Sequence, residues 1–150
     1  MYYSNMDERE VRLLRTRLQE LHRRQRRETP PIEGIGRTSA RVLGAIARAE
    51  GGAGPGAIAA ELAMTSSNVA AALRELDAAG LVVRVADPED RRRVRLLLSR
   101  AGEAAVAAHR HGRDEWFAAA IEAELDTAEQ ELLMRVSPLI ERLARWSGGR

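Results

Sequence analysis

A chain of 150 residues, 45% of them apolar, can build one domain with a real hydrophobic core and is too short for a catalytic domain beside a binding domain. It has no cysteine, which excludes a disulfide framework, a thiolate nucleophile, a zinc finger and a thiol redox switch, and no apolar run approaches the roughly 20 residues that cross a bilayer. The net charge of +2 cannot argue for nucleic acid by itself, so distribution must carry that case: all 24 basic residues are arginine, eight of them within residues 9–27 against Glu10 and Glu20.

Residues 1–28 alternate charge with leucine where a signal peptide would keep an apolar core, so a cytoplasmic protein is expected. Val11, Leu14, Leu18 and Leu21 recur at three- and four-residue spacing and predict an amphipathic helix over residues 7–28, whose narrow seam suits helix–helix contact. Pro30, Pro31, Gly34 and Gly36 break it. Thr38 or Ser39 is expected to cap a second helix that turns Val42, Leu43, Ile46 and Ala49 inward, and Gly51, Gly52 and Gly54 end it.

Pro55 suits the first turn of a short third helix with Ile58, Ala59 and Leu62 inward, and Thr65 caps a fourth that Gly80 closes in a left-handed conformation. From Leu81 the period changes to two. Leu81, Val83 and Val85 are predicted to form one face of a strand, Val94, Leu96 and Leu98 one face of its partner, and residues 86–93 a long exposed connection. Ser99 caps a helix to about residue 124 with Trp116, Phe117, Ala120 and Ile121 on its apolar side. Asp126 and Glu129 have the spacing of a capping box, starting a last helix over residues 126–147. There Leu132, Val136, Leu139, Leu143 and Trp146 keep a seven-residue repeat, and Pro138 should bend the helix or interrupt one bond.

Two short helices linked tightly at Ala63 and Met64, then a hairpin, make a winged helix-turn-helix. The expected fold is mainly α with a small two- or three-stranded β-wing, a reader lobe over residues 34–99, a connecting helix over 100–124, and terminal dimerisation helices. If Val69, Leu73 and Leu76 anchor the fourth helix, then Ser67, Asn68, Ala70, Ala71, Arg74 and Ala78 point outward. A helix enters the major groove only with short side chains, and Ser66, Ser67 and Asn68 supply groups that pair with base edges. On the hairpin tip, Arg91, Arg92 and Arg93 can reach a minor groove whose negative potential attracts guanidinium, with Asp90 holding one of them through a forked pair.

The segment over residues 37–102 resembles the MarR family of regulators. The resemblance rests on residues 38–43, Ile58-Ala59-Ala60-Glu61-Leu62, residues 64–76, Gly80-Leu81-Val82, and above all Asp87-Pro88-Glu89-Asp90-Arg91-Arg92-Arg93 followed by residues 94–99 and Gly102. It implies a homodimer whose first and last helices intertwine, and the seams Leu14, Leu18, Leu21 and Leu132, Val136, Leu139, Leu143, Trp146 argue for a dimer on their own, being more apolar helix surface than a small reader domain can cover. It also implies that Ser66, Ser67 and Asn68 address the major groove, Arg92 the minor groove, Thr38 and Arg74 phosphates, and that Asp90 orients the wing arginines. The partners so implied are double-stranded DNA, a second copy, and a small aromatic or amphipathic effector that releases a repressor from its operator. Ala70 and Ala71 stand where relatives often carry a hydroxyl residue and an arginine, a departure that implies fewer base contacts and a different operator.

Rival readings are weaker. His109 and His111 diverge by about 200° on a helix and cannot share a metal, so neither metal nor cofactor is expected. His22, Tyr2, Tyr3, His109 and Trp116 are candidates to line an effector pocket, though packing roles explain them as well. No histidine accompanies a nucleophile motif, and residues 51–56 lack the lysine and threonine of a phosphate loop, which argues against an enzyme. A winged-helix interaction module without DNA binding is the remaining alternative, and retained wing arginines oppose it.

Overall fold

The computed structural model describes residues 7–90 and 92–147; the sequence candidates Tyr2, Tyr3 and Arg91 lie outside them. The described residues form α1 (Glu8–Glu28), α2 (Arg37–Arg48), α3 (Pro55–Leu62), α4 (Ser66–Ala78), β1 (Val82–Ala86), β2 (Val94–Leu98), α5 (Arg100–Glu124) and α6 (Thr127–Ala144). This is the expected mainly helical winged fold. Two compact units are distinguished, Met1–Arg113 and Asp114–Arg150.

In the first unit, α1 starts in a capping box that the sequence reading did not anticipate: Asp7 accepts from its third helical residue, and the Glu10 carboxylate takes the Asp7 N–H at 3.2 Å. None of its residues is buried. The core lies among α2, α3, α4 and the hairpin, where Val42, Leu43, Ile46, Ile58, Val69, Leu73, Leu76 and Leu96 are enclosed. Arg48 ties α2 to Glu61 of α3 at 2.6 Å. Pro55 occupies the start of α3, whose N–H would be unpaired anyway.

The expected cap of α2 is corrected. The N-cap is Gly36, without a side-chain bond of its own, and Thr38 and Ser39 lie inside the first turn. The predicted face of the first strand is corrected too. Antiparallel pairing sets Val82 opposite Leu98 and Arg84 opposite Leu96, so the inward face of β1 is that of Val82, while Val83 is 43% exposed and Val85 38%. Leu81 is buried but precedes the strand, closing α4 by donating to the Leu76 carbonyl at 3.0 Å. Ala53 adds a single bridge on Leu96, donating at 3.1 Å and accepting at 2.9 Å.

Ser99 caps α5 as expected: its Oγ accepts the Gly102 N–H at 3.0 Å and donates to the Gly80 carbonyl at 2.6 Å. Gly102 is buried, and a Cβ there would stand 2.0 Å from the Leu81 oxygen, so only glycine permits this docking.

In the second unit, Asp126 and Glu129 form both bonds of the anticipated capping box, at 2.9 and 3.0 Å. Helix α6 runs through Pro138 without a break. Trp116 and Phe117 stack with centroids 6.4 Å apart. Leu132, Leu139, Leu143 and Trp146 are exposed, and Val136 is half-buried.

Candidate nucleic-acid interface

Helix α3 stops at Ala63, a left-handed residue with φ 50°, and two residues later Thr65 begins α4. Thr65 Oγ1 accepts the Asn68 N–H at 3.2 Å and lies 3.0 Å from Ser67 Oγ, so the cap holds the first turn. Burial of Val69, Ala72, Leu73 and Leu76 forces Ser66, Ser67, Asn68, Ala70, Ala71, Arg74 and Ala78 outward, and all seven are exposed. Among the described residues, the side-chain amide of Asn68 has no hydrogen-bond partner and Arg74 no ion pair. The resulting surface is small and polar at the end where free backbone donors and the positive end of the helix dipole gather.

Asp87 organises the wing tip. Its Oδ1 accepts the N–H groups of Glu89 at 2.8 Å and Asp90 at 3.3 Å, while Oδ2 takes Arg95 Nε at 2.7 Å. Arg95 also donates to the Gly51 carbonyl at 3.3 Å, fastening the wing to the loop before α3. The Arg95 bond, then the Glu89 amide, hold the Asp87 carboxyl below its ordinary range. Asp90 accepts the Arg92 N–H at 3.0 Å, and its other oxygen is 3.5 Å from Arg93 Nε. Arg92 is exposed and has no ion-pair partner among the described residues.

Thr38 is exposed on the first turn of α2. The turn itself is completed from α4, because Glu75 accepts the Gly36 N–H at 2.7 Å on Oε1 and the Ser39 hydroxyl on Oε2. Those bonds, Ser39 first, lower the Glu75 pKa. Sequence reasoning missed Glu75 and, although Asp87 and Arg95 lie in the quoted motif, gave neither a role. The Asp-Pro pair at a strand exit is a turn signal that could have found Asp87; nothing local points to Glu75.

A cavity of about 300 Å³ lies in the first unit, walled by Pro30, Pro31, Ile32, Leu81, Ala105 and Ala108, with Glu33 and His109 as its polar members. His109 Nδ1 is 3.1 Å from the Pro30 carbonyl. His22 and Trp116 are not part of its lining. Among the described residues there is no cluster suited to a metal ion and no helix long and apolar enough to cross a membrane.

Residues 33–93 match the sequence profile of the MarR family. The whole chain is similar to a crystal structure assigned to a transcriptional regulator of Pseudomonas aeruginosa PA01, with 37% identity over 97% of this chain and 99% of that one and a TM-score of 0.83. It shares its fold with a transcriptional regulator of Thermotoga maritima, 23% identical over 89% of this chain and 96% of that one, at a TM-score of 0.76. The fold is also that of Staphylococcus aureus MepR, 24% identical over 89% and 96% at a TM-score of 0.63 in a form bound to an oligodeoxyribonucleotide; another MepR structure holds ethidium bromide. No curated protein matches the sequence.

Proposed function

The chain belongs to the MarR family of transcriptional regulators, and from that premise we propose that it is a homodimeric repressor reading a pseudo-palindromic operator. In this reading α4 enters the major groove, with Ser66, Ser67 and Asn68 on base edges. Arg92, with Arg91 and Arg93 beside it, reaches the minor groove, Thr38 and Arg74 approach phosphates, and Asp90 orients the tip. The carrying observation is the N-terminal part of the outward face of α4, where Ser66, Ser67, Asn68, Ala70 and Ala71 are exposed and none is longer than asparagine, beside a wing whose Arg92 has no ion-pair partner among the described residues. The DNA-bound form of MepR supports it by likeness of fold.

Dimerisation is supported by apolar surface that the described chain leaves uncovered. Leu14, Leu18 and Leu21 are exposed on α1, as are Leu132, Leu139, Leu143 and Trp146 in and after α6. A two-fold pair would set its reading helices about 34 Å apart, one duplex turn. A small aromatic or amphipathic effector would take the cavity beside His109, the kind of ligand that MepR holds in its ethidium structure.

Selection of bound sequences from a random duplex pool tests the reading. Enrichment of two-fold symmetric sites with half-sites about 10 base pairs apart is expected, with affinity falling steeply as salt rises. Failure to enrich any sequence would favour the interaction-module alternative.

A further inference from the structure

We infer that Glu75 is a positioning residue for sequence reading: it locks the angular setting of α4 to the start of α2. The inference rests on the proposed DNA reading and names a residue which that reading leaves without a role. Helix α2 begins at Gly36 with no cap of its own, and the N–H groups of a first turn need acceptors. Glu75 supplies one such acceptor across 39 residues of sequence, taking the Gly36 N–H at 2.7 Å, and its other oxygen holds the hydroxyl of Ser39 in that turn, a residue 1% exposed. A carboxylate here also meets the positive end of the α2 dipole.

Position explains why this matters for specificity. Glu75 follows Asn68 by seven residues and Ala71 by four, so the three share one stripe of α4. The apolar contacts of Val69, Leu73 and Leu76 hold the helix against the core, but the hydrophobic effect behind them is not directional and defines its angle less sharply than a hydrogen bond does. Two hydrogen bonds on a single carboxylate are directional, and they fix the stripe that carries Asn68. The same bonds order the turn bearing Thr38, so the base-reading and phosphate-facing elements move as one.

The test compares Glu75→Gln, Glu75→Ala, Ser39→Ala and the double Ser39→Ala/Glu75→Ala on a selected operator duplex and a scrambled duplex of equal length. Folding is checked by circular dichroism and thermal melting. A folded Glu75→Gln protein should lose roughly tenfold in its ratio of operator to scrambled affinity, the scale of a lost charged hydrogen bond. The scrambled duplex should bind as well as before or better, since a negative charge is gone. Ser39→Ala should move the ratio the same way, and the double variant should lose no more than Glu75→Ala alone. A wild-type ratio in folded variants would overturn the inference, as would an equal gain on both duplexes, which would make Glu75 only a surface charge. Additive losses in the double variant would also overturn it. Should Glu75→Ala fail to fold, Glu75→Gln and Ser39→Ala decide. Wild-type protein unable to separate the two duplexes would sink the DNA reading itself, an outcome distinct from unchanged variants.

Discussion

Asn68 and Arg92 are exposed side chains with nothing in the described chain to occupy them, so each is free to spend its bonds on another molecule. Replacing Asn68 by alanine should shift sequence preference by roughly 1–3 kcal/mol at one base pair per half-site, measured over a panel of single-base operator variants. A uniform loss over the panel would contradict base reading. Replacing Arg92 by alanine should weaken operator binding about tenfold at physiological salt, and unchanged affinity would remove the wing from the mechanism. Glu75 and Asp87 both have lowered pKa values, through Ser39 and Arg95 respectively. A depressed carboxylate stabilises the fold fully above its unfolded pKa and loses that contribution as pH falls through the folded value. Acid titration of thermal stability should therefore show a decline beginning near the ordinary carboxylate range, roughly pH 4, and Asp87→Asn should flatten part of it. The outward residues of α4 were legible in the sequence because 3.6-residue periodicity assigns a face without outside help. Glu75 was not, since its partners lie 36 and 39 residues away and no local pattern announces them.

Elements were legible where the chemistry is local. The Thr65 cap, the Pro55 start, the Ser99 cap and the Asp126–Glu129 box all stand where spacing placed them. The first strand was read out of phase. Leu81 looked like the head of an alternating run, yet its N–H closes α4 and its carbonyl accepts from Ser99 at 3.0 Å, so the alternation begins one residue later. A period-two pattern cannot reveal such a slip by itself, because five of the six residues at 81–86 are apolar and either face would serve. The junction between β1 and α5 also gives the sharpest stability prediction. Gly102→Ala should lower the unfolding free energy by about 1–3 kcal/mol or more, because its Cβ would collide with backbone that cannot swing aside. Gly56→Ala, whose Cβ would meet nothing within 4 Å, is the control and should be neutral or stabilising in a chemical denaturation series.

For the whole molecule, neither α1 nor α6 buries a single residue within the described chain, although both carry apolar seams. In the proposed dimer the partner would cover these helices and stabilise them, so the melting temperature is expected to rise with protein concentration. Leu139→Asp should yield monomers by light scattering; a persistent dimer would place the interface elsewhere. The seams were visible as heptad spacing, whereas their exposure had to be seen in three dimensions. The link from Glu75 to Gly36 has a consequence for how the molecule comes into being. A chain made from its N-terminus emerges with the opening turn of α2 unfinished, and an isolated helix of 12 residues is marginal in water. That turn waits until α4 has been synthesised and docked, so the reader lobe is expected to acquire its order in one cooperative step instead of helix by helix.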